Sequence, residues 1–273
     1  MSSFAAMAGH TRTDATVDPA DVAWVDLVRL GPWQVAHELV ISLPWLAGSL
    51  YAAGAGNYVA ALACSFMFFL TGLRQVHNAF HHALGLPRFG SHVVMFVLSI
   101  LMLGSMHAVQ VIHLRHHRHC LAEDDVEAMG ARLTAWRALM LGPRYPWFLH
   151  SKALEFAAPG GRRWIVIELV ANALWIGAVI FLLDSPVLVY HVVAMAAGQC
   201  MTAFFAVWTT HHGCDPAGPI ARSIRSPLKA LVTYNMFYHF EHHAFPAVPT
   251  CRLPELARRL DARYPQLRIA KVY

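Results

Sequence analysis

Twelve of the eighteen histidines stand in or directly beside four short stretches, and the spacing within those stretches is that of metal ligands. In HFEHH, His239, His242 and His243 fall at i, i+3 and i+4, so a helix would turn all three imidazoles to one face. His113, His116 and His117 in HLRHH repeat that spacing. His77 and His81 in HNAFH stand at i and i+4, with His82 alongside, and His211–His212 form a fourth place. Imidazole suits iron, zinc and copper alike, so ligand type does not name the metal. Ligand number is more informative. A zinc site closes with four ligands or keeps three plus water. The three larger groups offer eight histidines and His211 makes a ninth, about right for two metals with open positions. His211 is preferred over His212 only provisionally, because the inward member depends on where its helix ends.

The segments between these groups must place them together. With 57% hydrophobic and 14% charged residues and a mean hydropathy of +0.43, the 273-residue chain has the composition of a membrane protein. Pro32 to Ala53 and Tyr58 to Val76 are apolar and separated by a turn-like GAGN, which predicts a transmembrane hairpin. Within it, His37 and Glu38 read as an interfacial pair. Trp164 to Leu183 and Pro186 to Thr210, with Asp184 and Ser185 at the tip, predict a second hairpin. Glu168, Asn172, His191 and Gln199 lie inside it, and polar contact between helices is the commoner use of such groups. Phe89 to Leu114 is long enough to cross once, but a single crossing would put the first two histidine groups on opposite sides. It is therefore read as re-entrant or interfacial, with Gly104, Ser105 and His107 marking a broken helix. Cys120 to Arg163 reads as a charged, Pro/Gly-punctuated loop. Residues Ala257 to Leu260 in LPELARRLDARYP belong to a short amphipathic surface helix.

Charge supplies the orientation. Eight Lys and Arg lie between His113 and Arg163 and nine follow Gly213, whereas the turns at Gly54 and Asp184 have none. Both turns are expected outside and the histidine groups, with both termini, on the cytoplasmic side. Residues 1–31 carry four aspartates and no secretory signal pattern, and are expected to be a cytoplasmic lead-in to a single membrane domain over 32–273. Within the lead-in, Val22 to Leu30 is either a short interfacial helix or unstructured. Five widely spaced cysteines form no C-x-x-C and suggest neither a zinc ribbon nor a disulfide framework.

Three ordered boxes, H-x3-H, H-x2-HH and H-x2-HH, separated by apolar segments resemble the membrane fatty-acid desaturase and hydroxylase superfamily. Asn235 ahead of the third box and HHAFPAVP at its end resemble the desaturase branch. The resemblance runs from about Gly31 to the C-terminal region. It implies an all-α integral membrane fold of two transmembrane hairpins, a re-entrant or interfacial segment and a cytoplasmic helical cap. It also implies a non-haem diiron centre on His77, His81, His113, His116, His117, His211, His239, His242 and His243, with O2 as co-substrate. Asn235 is implied to hold a metal-bound water or orient a ligand. Of the acidic run Glu123, Asp124 and Asp125, one member is expected to orient a ligand, and Asp124 is the residue chosen. Asn78 departs from the family, where many relatives carry an acidic residue.

The activity so implied is desaturation of a fatty acyl or other lipid chain by C–H abstraction. Hydroxylation or ketolation of a carotenoid, another lipid or a small metabolite is the alternative within the superfamily. No Gly-rich dinucleotide fingerprint or C-x-x-C-H is visible, so electrons are expected from a ferredoxin-like or cytochrome-type protein. The basic tail, including Arg252, Arg258, Arg259 and Arg263, could attract an acidic carrier, although the positive-inside rule accounts for most of that charge. No nucleic-acid partner is expected. A zinc hydrolase would leave half of the box histidines idle and lacks H-E-x-x-H. A haem or metal carrier would need histidines facing one another within the spans, where His191 is the clear example.

Overall fold

The computed structural model describes residues 17–272 and is all-helical, the one β feature among them being an isolated bridge between Ser223 and Lys271. Two compact units are formed. One contains residues 17–29, Ile112–Ala138 and 203–272; the other contains Leu30–Val111 and Leu139–Thr202.

The second unit holds the apolar helices. α1 (Pro32–Val40) and α2 (Leu43–Gly54) precede α3 (Tyr58–Phe80), whose first turn is capped by Asn57 Oδ1 on Ala60 N. The first arm is thus two helices rather than the single span expected. Pro44 accounts for the break: it has no N–H to give to an uninterrupted helix and is at home in the first turn of a new one. α4 (Arg88–Met102) is followed by the N-terminal part of α5 (Met106–His119), the two bent by 113°. The break falls at Leu103 to Ser105, where Leu103 is left-handed with φ 56°. α6 (Ala135–Leu141) and α7 (Tyr145–Phe156) occupy much of the segment read as a loop, α7 opening with Pro146 in its first turn. α8 (Pro159–Phe181) and α9 (Pro186–Thr202) follow, the second continuing through a π turn (Ala203–Trp208) to His211.

Among the described residues three helices are long and apolar enough to cross a membrane: Tyr58–Phe80, Pro159–Phe181 and Pro186–His211; the bent pair makes a fourth if counted as one span. Leu174 and Phe181 on α8 are 70% and 81% exposed, an arrangement that favours lipid over water. Glu38 is not interfacial. It is fully buried, accepting from Arg74 Nη2 at 2.6 Å and from Asn78 Nδ2 at 2.9 Å. Asn78, the departure in the first box, therefore serves as a donor to a carboxylate.

In the first unit, α10 (Pro227–Val232), α11 (His239–Ala244) and α12 (Leu253–Arg263) follow the end of α9. α12 is the amphipathic helix expected, burying Leu253, Leu256, Ala257 and Leu260. Within Val22 to Leu30 the short helix is a single 3-10 turn (Val25–Leu27), and residues 17–29 hold two such turns and pack on this unit. Trp24 meets Phe245, with ring centroids 5.6 Å apart, and Asp26 receives Arg259 at 2.7 Å. The basic tail is consequently much neutralised. Arg263 pairs with Asp21, Arg258 with Glu255 and Arg225 with Asp261. Residues 1–16 and 273 lie outside the described chain.

Candidate metal centre

Seven of the nine expected ligands lie in the first unit, and all seven are buried. α5 carries His113, His116 and His117 on one face, and α11 carries His239, His242 and His243, as the i, i+3, i+4 spacing requires. Only His239–Ala244 of the third-box stretch is helical.

The Nε2 atoms form two nests. In one, His116 approaches His211 at 3.2 Å and His243 at 3.3 Å, while His239 approaches His211 at 2.9 Å and His243 at 3.2 Å. In the other, His117 approaches His113 at 3.1 Å and His242 at 3.0 Å. The nests adjoin, the His117 and His243 rings stacking 4.3 Å apart. In the second unit His77 and His81 stand one turn apart at the end of α3, ring centroids 5.8 Å apart.

The far side of several rings is anchored. His116 Nδ1 donates to Asp125 Oδ2 at 2.8 Å, His113 Nδ1 to Glu127 Oε1 at 2.9 Å and His211 Nδ1 to the Ile220 carbonyl at 2.8 Å. A carbonyl can only accept, so a neutral His211 carries its lone pair on Nε2, and the Asp125 carboxylate imposes the same on His116. With both rings neutral, two lone pairs face each other across 3.2 Å. A proton on one Nε2 or a metal cation between them relieves that repulsion, and the spacing is that of ligands around one ion. Nitrogens sharing a first-row ion at about 2.0–2.1 Å stand roughly 3–3.4 Å apart. The donor set fits a metal, with the outer carboxylates and carbonyl fixing tautomer and ring orientation.

Outside the spans, the electrostatics agree. Burial raises the Asp125 carboxyl, but His116 and the Ala128 and Leu121 N–H groups outweigh it and leave the pKa below 3.8. Glu127 is likewise pushed up by burial and pulled below 4.5 overall, chiefly by His113 and His116. Burial, reinforced by the surrounding imidazoles, drives His243 well below its ordinary value, so its ring is neutral and able to ligate.

Asp124, the expected orienting residue, does not fill that role. It is exposed and pairs with Arg115, while its neighbour Asp125 turns inward. Glu127 was missed altogether, since a single carboxylate fourteen residues after His113 carries no spacing signal. Asn235 is not on the helix of the third box. Its φ is 62°, and it closes a turn by donating its N–H to Ala230 and accepting from Tyr238. His211, not His212, faces the nest; His212 bonds the Ala131 carbonyl and stacks on Trp208. The π turn underlies this choice. Each such turn sets the following residues back by one position, so in an unbroken α-helix Thr210 would take the direction of His211. Glu241, between the third-box ligands, is buried against Arg225 at 2.6 Å.

Histidine nests of this kind are able to hold metal, and the long apolar helices of the chain are those of a membrane protein. Residues 53–272 match the family model described as fatty acid desaturase, and the chain belongs to that family. It is an oxidoreductase. It is similar to the beta-carotene ketolase of a Paracoccus species, 25% identical over 197 residues, covering 68% of this chain and 73% of that protein. It is also similar to the sphingolipid delta(4)-desaturase of Drosophila melanogaster, 27% identical over 152 residues, covering 54% and 47%. A third similar protein is the zeaxanthin 4-ketolase of Chlamydomonas reinhardtii, 23% identical over 245 residues, covering 85% and 50%.

Proposed function

We propose that this chain is an O2-dependent, non-haem diiron oxidase acting on an unactivated C–H bond of a lipid. The observation that carries the reading is the pair of adjoining Nε2 nests with their outer nitrogens anchored on Asp125, Glu127 and Ile220. His113, His117 and His242 would hold one iron, and His77 and His81 are proposed as further ligands on the resemblance to the family's first histidine box. His116, His211, His239 and His243 would hold the other. Bound there, the two irons would activate O2 and oxidise the C–H bond, with electrons delivered by a separate ferredoxin-like or cytochrome-type protein.

The chain's own residues do the positioning. Asp125 and Glu127 keep the Nδ1 protons of His116 and His113 outward, so that the Nε2 lone pairs stay available. Their anionic charge also offsets part of the cationic charge of the loaded centre. Burial of all seven ligands excludes bulk water from the reacting region. Asn235, placed beside the third box in sequence, is proposed to act on a ligand through water. The chain is proposed to be multi-pass with both termini cytoplasmic, as the distribution of Lys and Arg supports.

Two end products are open to such an oxidase. The similarity to two carotenoid ketolases, over 68% and 85% of the chain, favours oxygen insertion into a carotenoid-type ring. Desaturation of an acyl chain is the second reading, favoured by the similarity to a sphingolipid desaturase. Mass spectrometry of total lipids from cells expressing the wild type or His242→Ala, supplied with carotenoid, separates them. A His242-dependent gain of oxygen supports the first, and loss of two hydrogens from an acyl chain the second. No His242-dependent product, with an electron donor supplied and metal loaded, refutes both.

A further inference from the structure

The 113° break between α4 and α5 leaves the last carbonyls of one helix and the first N–H groups of the other without intrahelical partners. In an apolar setting each such group costs several kcal/mol unless it is paired. Polar side chains of α7, α8 and α9 pair them. His191 Nε2 donates to the Leu101 carbonyl at 2.9 Å and Gln199 Nε2 to the Met102 carbonyl at 2.8 Å. His150 Nε2 accepts from Ser105 N at 2.9 Å. Gly104 leaves room where Gln199 crosses: a Cβ there would lie 2.7 Å from its Nε2 and push that amide aside.

Glu168 does more than pair one group. Its Oε2 accepts from Ser105 Oγ at 2.6 Å and from His107 N at 3.0 Å, and its Oε1 accepts from His107 Nδ1 at 2.6 Å. Ser105 Oγ in turn accepts from Ala108 N at 3.1 Å, as a helix N-cap does. Trp164, one turn before Glu168 on α8, stacks on the His107 ring, centroids 4.8 Å apart and planes 4° apart. Asn172, one turn after it, donates to Ser99 Oγ at 3.0 Å on the other side of the break. Glu168 and His107 are 0% and 2% exposed, so this grip works without competing water.

We infer that Glu168 is a positioning residue for the second histidine box. The inference rests on the metal-centre reading above. One carboxylate holds a backbone N–H, a capping hydroxyl and a ring nitrogen in the first turn of α5, which fixes both where the helix starts and how it is rotated. His113 to His117 follow His107 by six to ten residues, roughly 9–15 Å along the same axis. A tilt of about 5° at the start would carry His117 about 1 Å sideways, and a ligand set tolerates only about 0.5 Å.

The test is cobalt(II) titration of the full-length protein in detergent, read by its visible absorption bands, for wild type, Glu168→Ala, Glu168→Gln and Ser105→Ala. Thermal unfolding is followed in parallel. Glu168→Ala should weaken cobalt binding about tenfold or more and shift the bands, a loss in the range that ligand-orienting residues give. Glu168→Gln, which keeps an acceptor oxygen for His107 N and Ser105, should recover most of it, with Ser105→Ala between. A Glu168→Ala protein that melts earlier but binds cobalt with wild-type affinity and spectrum overturns the inference, as does a Gln variant as impaired as the Ala one. A second arm needs no metal. In metal-free protein, alkylation of Ile112→Cys, a position 1% exposed on α5, should quicken when Glu168 is also changed to Ala. An unchanged rate refutes the inference, whereas absence of cobalt bands in the wild type, or bands that survive His242→Ala combined with His243→Ala, refutes the metal-centre reading instead.

Discussion

Replacing Asp125 by Asn probes the centre without touching a ligand. Asp125 Oδ2 accepts from His116 Nδ1 at 2.8 Å and from Leu121 N at 2.9 Å, and Oδ1 accepts from Ala128 N at 3.2 Å. Asn has one acceptor oxygen. If it faces Ala128, its amide N–H opposes the Nδ1 proton of His116, and the imidazole either rotates or changes tautomer. If it faces His116, the Ala128 N–H loses its partner. The first outcome removes the anchor that keeps the His116 lone pair in the nest, worth about 10–100-fold in metal affinity, or about 1.4–2.7 kcal/mol. Asp124 is the internal control. It is exposed and paired with Arg115, and a surface ion pair of that kind is worth about 0.2–1 kcal/mol of stability, with no path to the ligands. Competition between the detergent-solubilised protein and a chelator of known affinity, for iron(II) under anaerobic conditions, gives the numbers. The reasoning fails if Asp125→Asn retains metal as the wild type does, or if Asp124→Asn loses as much as Asp125→Asn.

Further outcomes are expected. His211→Ala should abolish metal in the nest formed with His116, His239 and His243. His212→Ala, which loses one bond to the Ala131 carbonyl, should keep the metal at about 1 kcal/mol of stability; metal analysis and thermal unfolding distinguish them. Glu38→Ala leaves Arg74 buried with its carboxylate partner gone and should destabilise by about 3–5 kcal/mol, whereas adding Arg74→Met should restore much of the loss, seen in denaturation of the pair. Asp26 is held below 3.8, first by its hydrogen bond to Arg259. A lowered carboxyl contributes stability above its unfolded pKa and loses it as pH falls through the folded one. The packing of residues 17–29 should therefore hold at neutral pH and loosen below about pH 3.8, reported by an environment-sensitive dye on Val25, with Asp26→Asn reducing that pH dependence and Asp21, lowered by Tyr264 and Arg263, keeping the remainder.

The types of the candidate ligands and most of their positions can be read along the chain. Histidines at i, i+3 and i+4 must share a helical face, whatever the helix packs against, so the histidine faces of α5 and α11 are legible from spacing alone. Long apolar segments with charge confined to particular stretches likewise announced membrane helices, and Gly104 with Ser105 announced the break. What the sequence did not hold was everything set by meeting rather than by spacing. Asp125, not Asp124, faces His116 because the chain turns at Leu121, whose φ is 62°, and the carboxylate that caps this turn is the one that points inward. Glu38 and Arg74 lie 36 residues apart and found each other only through helix packing. Adjacent His211 and His212 are chemically identical and differ only in direction, and that direction is fixed by a π turn one helical turn earlier. Periodicity is a local property of the chain and can be read along it. Which carboxylate, which histidine and which arginine face inward depends on the phase at which helices meet, and tertiary packing alone sets that phase.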